Sequence, residues 1–257
     1  MKRKFPNITN IVAPCVLVLL LLGIWQFLCV YGVVPAYMLP SPEQVIKALI
    51  GDFPLLMEHA KATLQEAFLG LAIGIAGGFV LAACMEQCSI LHKALYPVLV
   101  ITQTIPSVAI APLLVLWMGY GIAPKVTLVV LISFFPIAVG LLDGFREADE
   151  DSICLMRAMG ASKWQIFWHV KLPGSLTHFF SGLRLAISYS IVGAVISEWL
   201  GGFSGLGVYM TRVKKSYAYD KMFAVIFLIT VLSLLLMKAV SLLQYAVTPW
   251  THKRERT

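Results

Sequence analysis

From Ile11 to Tyr31, and again from Val98 to Met118, the chain carries no charged side chain. A helix rising 1.5 Å per residue crosses the roughly 30 Å of bilayer hydrocarbon in about 20 residues, so each run is long enough to span a membrane. Backbone groups find no water there, and only a helix or a closed barrel pairs them all. The alternating apolar and polar segments of a barrel strand are missing. Composition agrees: 59% of the 257 residues are hydrophobic and 13% charged, against about a quarter charged in soluble domains. The expected class is an all-α polytopic membrane protein embedded in a lipid bilayer.

Met1-Lys2-Arg3-Lys4 before the first run resembles the start of a signal peptide. The run is too long for one and lacks an A-x-A-like cleavage site, so it reads as a first transmembrane helix. A polar interval from Val33 to Glu58 follows, where Leu39-Pro40-Ser41-Pro42-Glu43 opens a short amphipathic helix bearing Val45, Ile46, Leu49 and Ile50. A second span, about Ala60–Met85, sets Gly70, Gly74, Gly78 and Ala82 four residues apart. Small residues at that spacing share one helix face and let another backbone come close.

The third span, Val98–Met118, contains Pro106 and Pro112. Proline leaves carbonyls free, which is tolerated where protein or a watery cavity supplies partners. This span is therefore expected to line something, with Gln103 and Pro106 as pathway candidates. The turn 119–124 leads to a fourth span, about Lys125–Leu142, interrupted by Pro136. After a charged interval come a fifth span (about Leu183–Leu200), a glycine-rich loop and a sixth span (about Met222–Val247).

Six spans place both termini on one side. With the termini inside, eleven Lys and Arg fall in cytoplasmic segments and six outside, the asymmetry expected of cytoplasmic loops. The basic cluster from Arg212 to Lys221 lands outside, against the trend. The net charge of +7 serves to anchor and orient the helices; no nucleic-acid partner is expected.

The charged interval, Asp143–Ser181, carries most of the diagnosis. Ile153, Met156 and Met159 give a helix an apolar edge, and Gly160 is placed to end it in the left-handed conformation. Ser162 then caps a new helix, with Gln165 completing a capping box. Trp164, Phe167 and Trp168 offer apolar surface, and Pro173 is expected to stop the element. A rigid aromatic knob on a charged loop suits docking to a partner protein.

Arg157-Ala158-Met159-Gly160-Ala161-Ser162, then Val170, Leu172-Pro173 and Gly182-Leu183-Arg184, resembles the cytoplasmic loop of ABC importer permeases, in which a glycine, nine residues, an aliphatic residue, one further residue and Leu-Pro recur. The Glu-Ala-Ala triplet of that family is here Cys154-Leu155-Met156. Leu39-Pro40-Ser41-Pro42, Ala111-Pro112-Leu113, Trp117-Met118-Gly119, Ser197-Glu198 and Gly205-Leu206-Gly207 look like the branch that includes nitrate, sulfonate, taurine and thiamine-precursor permeases. The resemblance implies a type I ABC importer permease fold over residues 1–257, as one membrane domain with a coupling loop at about 143–181. It implies ATPase coupling through Arg157, Ala158, Gly160, Ala161, Ser162, Gln165 and Pro173. It also implies partner ATPase subunits, an extracytoplasmic solute-binding protein, a permease homodimer and a bacterial cell membrane. A pyrimidine thiamine precursor is the expected solute, with sulfonates, taurine or nitrate as the alternative.

No G-x-x-x-x-G-K-[ST] occurs, so ATP is expected on another chain and no cofactor on this one. Gly202-Phe203-Ser204-Gly205 matches a G-x-S-G protease motif, but the only histidine after His178 is His252 in the tail, so the motif reads as a turn and no catalytic residue is expected. Cys15, Cys29, Cys84, Cys88 and Cys154 read as small apolar residues, and no metal set is evident. A secondary transporter would show inverted repeats and midplane ionisable groups, and neither is apparent. Glu198 is a candidate for pathway lining or for an interfacial anchor. Glu66 is expected to pair with Lys61 or to lie near the headgroups.

Overall fold

Hydrophobic runs longer than the bilayer is thick dictate long helices, and the computed structural model contains helices throughout. It describes residues 8–32, 34, 35 and 38–249; Met1–Lys4 and the tail His252–Arg256 lie outside them. In chain order these are α1 (Ile8–Val30), α2 (Pro42–Gly51), α3 (Phe53–Gln87), α4 (Ser89–Thr104), α5 (Ser107–Met118) and α6 (Ile122–Arg146). Then follow α7 (Glu150–Ala158), α8 (Lys163–Ile166), a π-helical turn (Phe167–Lys171), α9 (Leu172–Leu200), α10 (Leu206–Lys215) and α11 (Tyr219–Val247). The described residues fall into two compact units: residues up to Met57 with Tyr209–Leu228, and Glu58–Val208 with residues from Ile229 on.

In the first unit, α1 exposes Leu17, Leu19 and Leu20 in the middle of the helix, as a lipid-facing span does. Trp25 Nε1 donates to Pro40 O at 3.1 Å. Helix α2 opens as the sequence predicts: Ser41 Oγ accepts from Gln44 N, and the Gln44 side chain accepts from Ser41 N. Between α2 and α3, Asp52 accepts from Tyr209 Oη and pairs with Lys221 at 2.8 Å. Those two donors hold the Asp52 carboxyl below the usual aspartate range.

The second unit is built on α6, with α3 beside it and α9 crossing it in the opposite direction. A Cβ at Gly70 would lie 2.5 Å from Val129 Cβ, and one at Gly74 would lie 2.3 Å from Ser133 Oγ. One at Gly78 would lie 3.1 Å from Phe134 O, and Ala82 is fully buried. The small-residue face thus seats α3 against α6, with both helices running the same way. On the other side of α6, a Cβ at Gly182 would lie 2.3 Å from Pro136 O, and one at Gly144 would lie 2.6 Å from Ser175 Cα. Leu141, Leu142, Phe145, Phe167, Ala186 and Ile187 fill the core between these helices.

Two parallel neighbours joined in sequence require the intervening chain to return. Helix α4 starts where His92 and Tyr96 meet Arg146 at the C-terminal end of α6, and α5 leads to Tyr120, which packs on Gly201 at the other end. The α4–α5 segment therefore crosses the unit from end to end. The third span expected at Val98–Met118 falls within this segment, which bends by 97° at Ile105-Pro106. With this pair as one span, the described residues give six candidate spans.

Leucine at Gly74 is expected to lower the thermal stability of the solubilised protein by at least the roughly 1–3 kcal/mol typical of overpacking. Leucine at Ile73, which is 54% exposed, should cost much less. Equal melting temperatures for the two variants would remove the close contact as a stabilising feature.

Candidate functional site

Two assemblies stand at opposite ends of the second unit. The first is the α7–α8 hairpin. Asp149 caps α7 through Ser152 N. At its other end Gly160 takes φ +81, its N–H donates to Arg157 O at 3.0 Å, and Ala161 N donates to Met156 O at 2.9 Å. That double closure is a Schellman motif, which suits glycine because a Cβ is strained at this φ. Ser162 and Gln165 then form the expected capping box on α8.

Of the aromatic trio, Phe167 is the anchor: it is 2% exposed and sits 5.3 Å from Phe145 of α6, ring centre to ring centre. Trp164 and Trp168 remain exposed, together with Leu155 and Met159. Arg157, Ala158, Gly160, Ser162 and Gln165 are exposed and Ala161 is half-buried, all within this hairpin. Pro173 does not end the element. The chain is helical from Lys163 to Leu200, and the π-helical turn Phe167–Lys171 comes just before the proline. The fifth span is accordingly much longer than Leu183–Leu200, and Lys171 within it pairs with Glu86 of α3.

The second assembly is a buried charge cluster where α3 and α6 begin and α9 ends. Lys125 Nζ lies 2.6 Å from Glu66 Oε1, with side chains 5% and 7% exposed. Glu66 therefore pairs with Lys125 and not with Lys61, and Lys125 is not a loop charge facing water. Glu66 Oε2 has no hydrogen-bond partner among the described residues.

Glu198, 2% exposed, sits beside this pair. It accepts from Thr63 Oγ1 at 2.7 Å and from Gly207 N at 2.6 Å. Leu206 N donates to Thr63 Oγ1, and Gly205 N donates to His59 Nδ1. A Cβ at Gly205, where φ is +123, would fall 2.2 Å from Glu198 Cδ. The carboxylate is thus clasped by the turn that starts α10, a helix the sequence reading passed over as loop. The other pathway candidates, Gln103 and Pro106, are exposed at the α4–α5 bend. Thr63, His59 and Lys125 carried no local signal; the Gly205-Leu206-Gly207 motif was the one visible pointer to this clasp. No described hydrogen bond joins Ser204 to a histidine, and no described group of His, Cys, Asp and Glu could hold a metal.

Long apolar helices, an exposed and rigidly closed hairpin at one end and a buried charge cluster at the other describe a polytopic membrane protein. The chain belongs to the family described as "Binding-protein-dependent transport system inner membrane component", whose sequence profile matches residues 74–253. It is 38% identical over 227 residues to a probable ABC transporter permease protein of Haemophilus influenzae, covering 88% of this chain and 93% of that one. It is 36% identical over 255 residues to the formylaminopyrimidine transport permease protein ThiX of Halalkalibacterium halodurans, covering 99% and 100%. Among solved structures, the MetNI methionine ABC transporter in an inward-facing form superposes with a TM-score of 0.67 at 20% identity, covering 77% of this chain and 98% of that one. The fold is that of type I ABC importer permeases, and the chain is a multi-pass inner-membrane component.

Proposed function

We propose that this chain forms the solute pathway of an ATP-driven importer, with a formylaminopyrimidine-type thiamine precursor as solute and a separate ATPase as motor. The observation that carries the motor assignment is the hairpin: Leu155, Met159, Trp164 and Trp168 are exposed on a frame fixed by two caps and by Phe167. Exposed tryptophans on rigid backbone are strong interface anchors. The solute assignment is supported by end-to-end similarity to the formylaminopyrimidine permease. ATP binds to the partner, two copies of this chain flank the pathway along their α4–α5 bends, and a solute-binding protein delivers from outside.

Reconstitution with the ATPase and binding protein is the direct test. ATP-dependent uptake of formylaminopyrimidine is expected; uptake confined to ethanesulfonate or nitrate would overturn the solute assignment.

Orientation follows from the same reading. The hairpin and both termini face the cytoplasm, and Ser41 and Ser204 face outward. After replacement of the native cysteines, an impermeant thiol reagent should label Ser41→Cys and Ser204→Cys in intact cells. Labelling of Ser162→Cys from outside would reverse the topology.

A further inference from the structure

Helix α10 ends in a Schellman closure of its own. Ala218 N donates to Val213 O at 3.0 Å and Tyr217 N to Lys214 O at 3.2 Å. The residue in the left-handed position is Tyr217, at φ +57, the one non-glycine residue with positive φ among those described. At Gly160 the same closure uses the residue that adopts this backbone without strain. A bulky side chain held there is an outlier, and such outliers cluster at functional sites. Burial does not account for it: Tyr217 is 77% exposed and meets Tyr219 edge-on, ring centres 6.3 Å apart.

Charge flanks this tyrosine in the chain. Arg212, Lys214 and Lys215 are exposed in the last turn of α10, and Lys221, half-buried near the start of α11, pairs with Asp52. Cations in a last turn complement the helix dipole, but that role asks for no left-handed tyrosine. None of the described ion pairs includes Lys214 or Lys215. The inner side of α10 is already packed: Tyr209 and Val213 are 5% and 7% exposed, and Tyr209 Oη donates to Asp52. What faces outward is cationic with a single aromatic, unlike the charge-poor centre of a protein interface. Its depth is set by the chain, because α11, a candidate span, starts at Tyr219, four residues after Lys215. A basic cluster with tyrosines at the mouth of a span stands at the level of lipid headgroups.

We propose that this turn is a binding site for the headgroup of an anionic phospholipid. Lys214 and Lys215 neutralise the phosphate, Arg212 adds to the positive field, and the Tyr217 ring lies at the boundary between headgroup and acyl chains, as tyrosines of interfacial belts do. A zwitterionic lipid, whose headgroup carries its own ammonium, binds more weakly. The inference needs the chain to be a multi-pass membrane protein and nothing of its solute or motor. Its failure therefore leaves the proposed function standing.

The test uses the full chain in detergent, with phosphatidylglycerol and phosphatidylcholine of matched acyl chains as probes and glycerol phosphate as the headgroup alone. Native mass spectrometry counts the lipid retained. Wild type should prefer phosphatidylglycerol by about tenfold or more, and glycerol phosphate should not displace it. Lys214→Gln with Lys215→Gln should cut that preference about tenfold. Tyr217→Gly keeps every charge and relieves the backbone, so it should melt no lower than wild type and yet retain less lipid. It decides the matter if the double variant fails to assemble. Equal retention of the two lipids, displacement by glycerol phosphate, or an unchanged preference in either variant would overturn the site. So would a double variant that keeps its lipid but loses stimulation of the ATPase by the binding protein, which would assign this face to a protein partner.

Discussion

Lys125→Met is expected to leave little assembled protein. The substitution keeps the length of the side chain and removes its charge, so Glu66 loses the donor on Oε1 while Oε2 already has none. Removing one partner of a buried ion pair costs about 3–5 kcal/mol, because the other charge stays buried and uncompensated. That is a large share of the roughly 5–15 kcal/mol that stabilises a typical domain. Yield and melting temperature in detergent measure the loss. The double variant Lys125→Met with Glu66→Leu should recover most of it, since an apolar pair leaves no unmet group. A double variant no better than the single would mean that the pair is not the source of the cost.

The second large effect is on transport rather than on folding. Deleting Ala158–Ser162 removes the Schellman closure and the N-cap of α8 together, so the angle between α7 and α8 is lost. Uptake in vesicles should fall to background, while membrane insertion persists because every candidate span is untouched. Gly160→Ala is the milder probe: no heavy atom lies within 4 Å of the added Cβ, so its cost is the left-handed backbone alone, about 1–2 kcal/mol. Normal uptake and normal ATPase co-purification by the deletion variant would end the coupling assignment.

Local signals were legible in the sequence, and pairings across the chain were not. The Gly70, Gly74 and Gly78 face and the Ser162–Gln165 box announce themselves because helix period and cap chemistry need only a few neighbouring residues. The partner of Glu66 is 59 positions away, and nothing local distinguishes Lys125 from a headgroup anchor. Pro106 marks a weak point in its helix, yet proline alone does not set a bend of 97°. Pro173 misled for the opposite reason: proline usually ends a helix, and nothing local announces that this one continues past it after a π-helical turn. Phe167 differed from Trp164 and Trp168 only in facing Phe145, which is a tertiary fact.

The unbroken helical stretch from Lys163 to Leu200 has a mechanical consequence. One close approach to α6 is at Gly182, where an added Cβ would meet Pro136 O. At 1.5 Å per residue, that point stands roughly 27 Å from Trp164 and roughly 27 Å from Leu200. The stretch is a lever with nearly equal arms and its fulcrum at a glycine. A tilt of about 10° about that point would carry each end through nearly 5 Å in opposite directions. Moved as one body about that point, the tryptophan end and the Glu198 end would shift by similar distances in opposite directions.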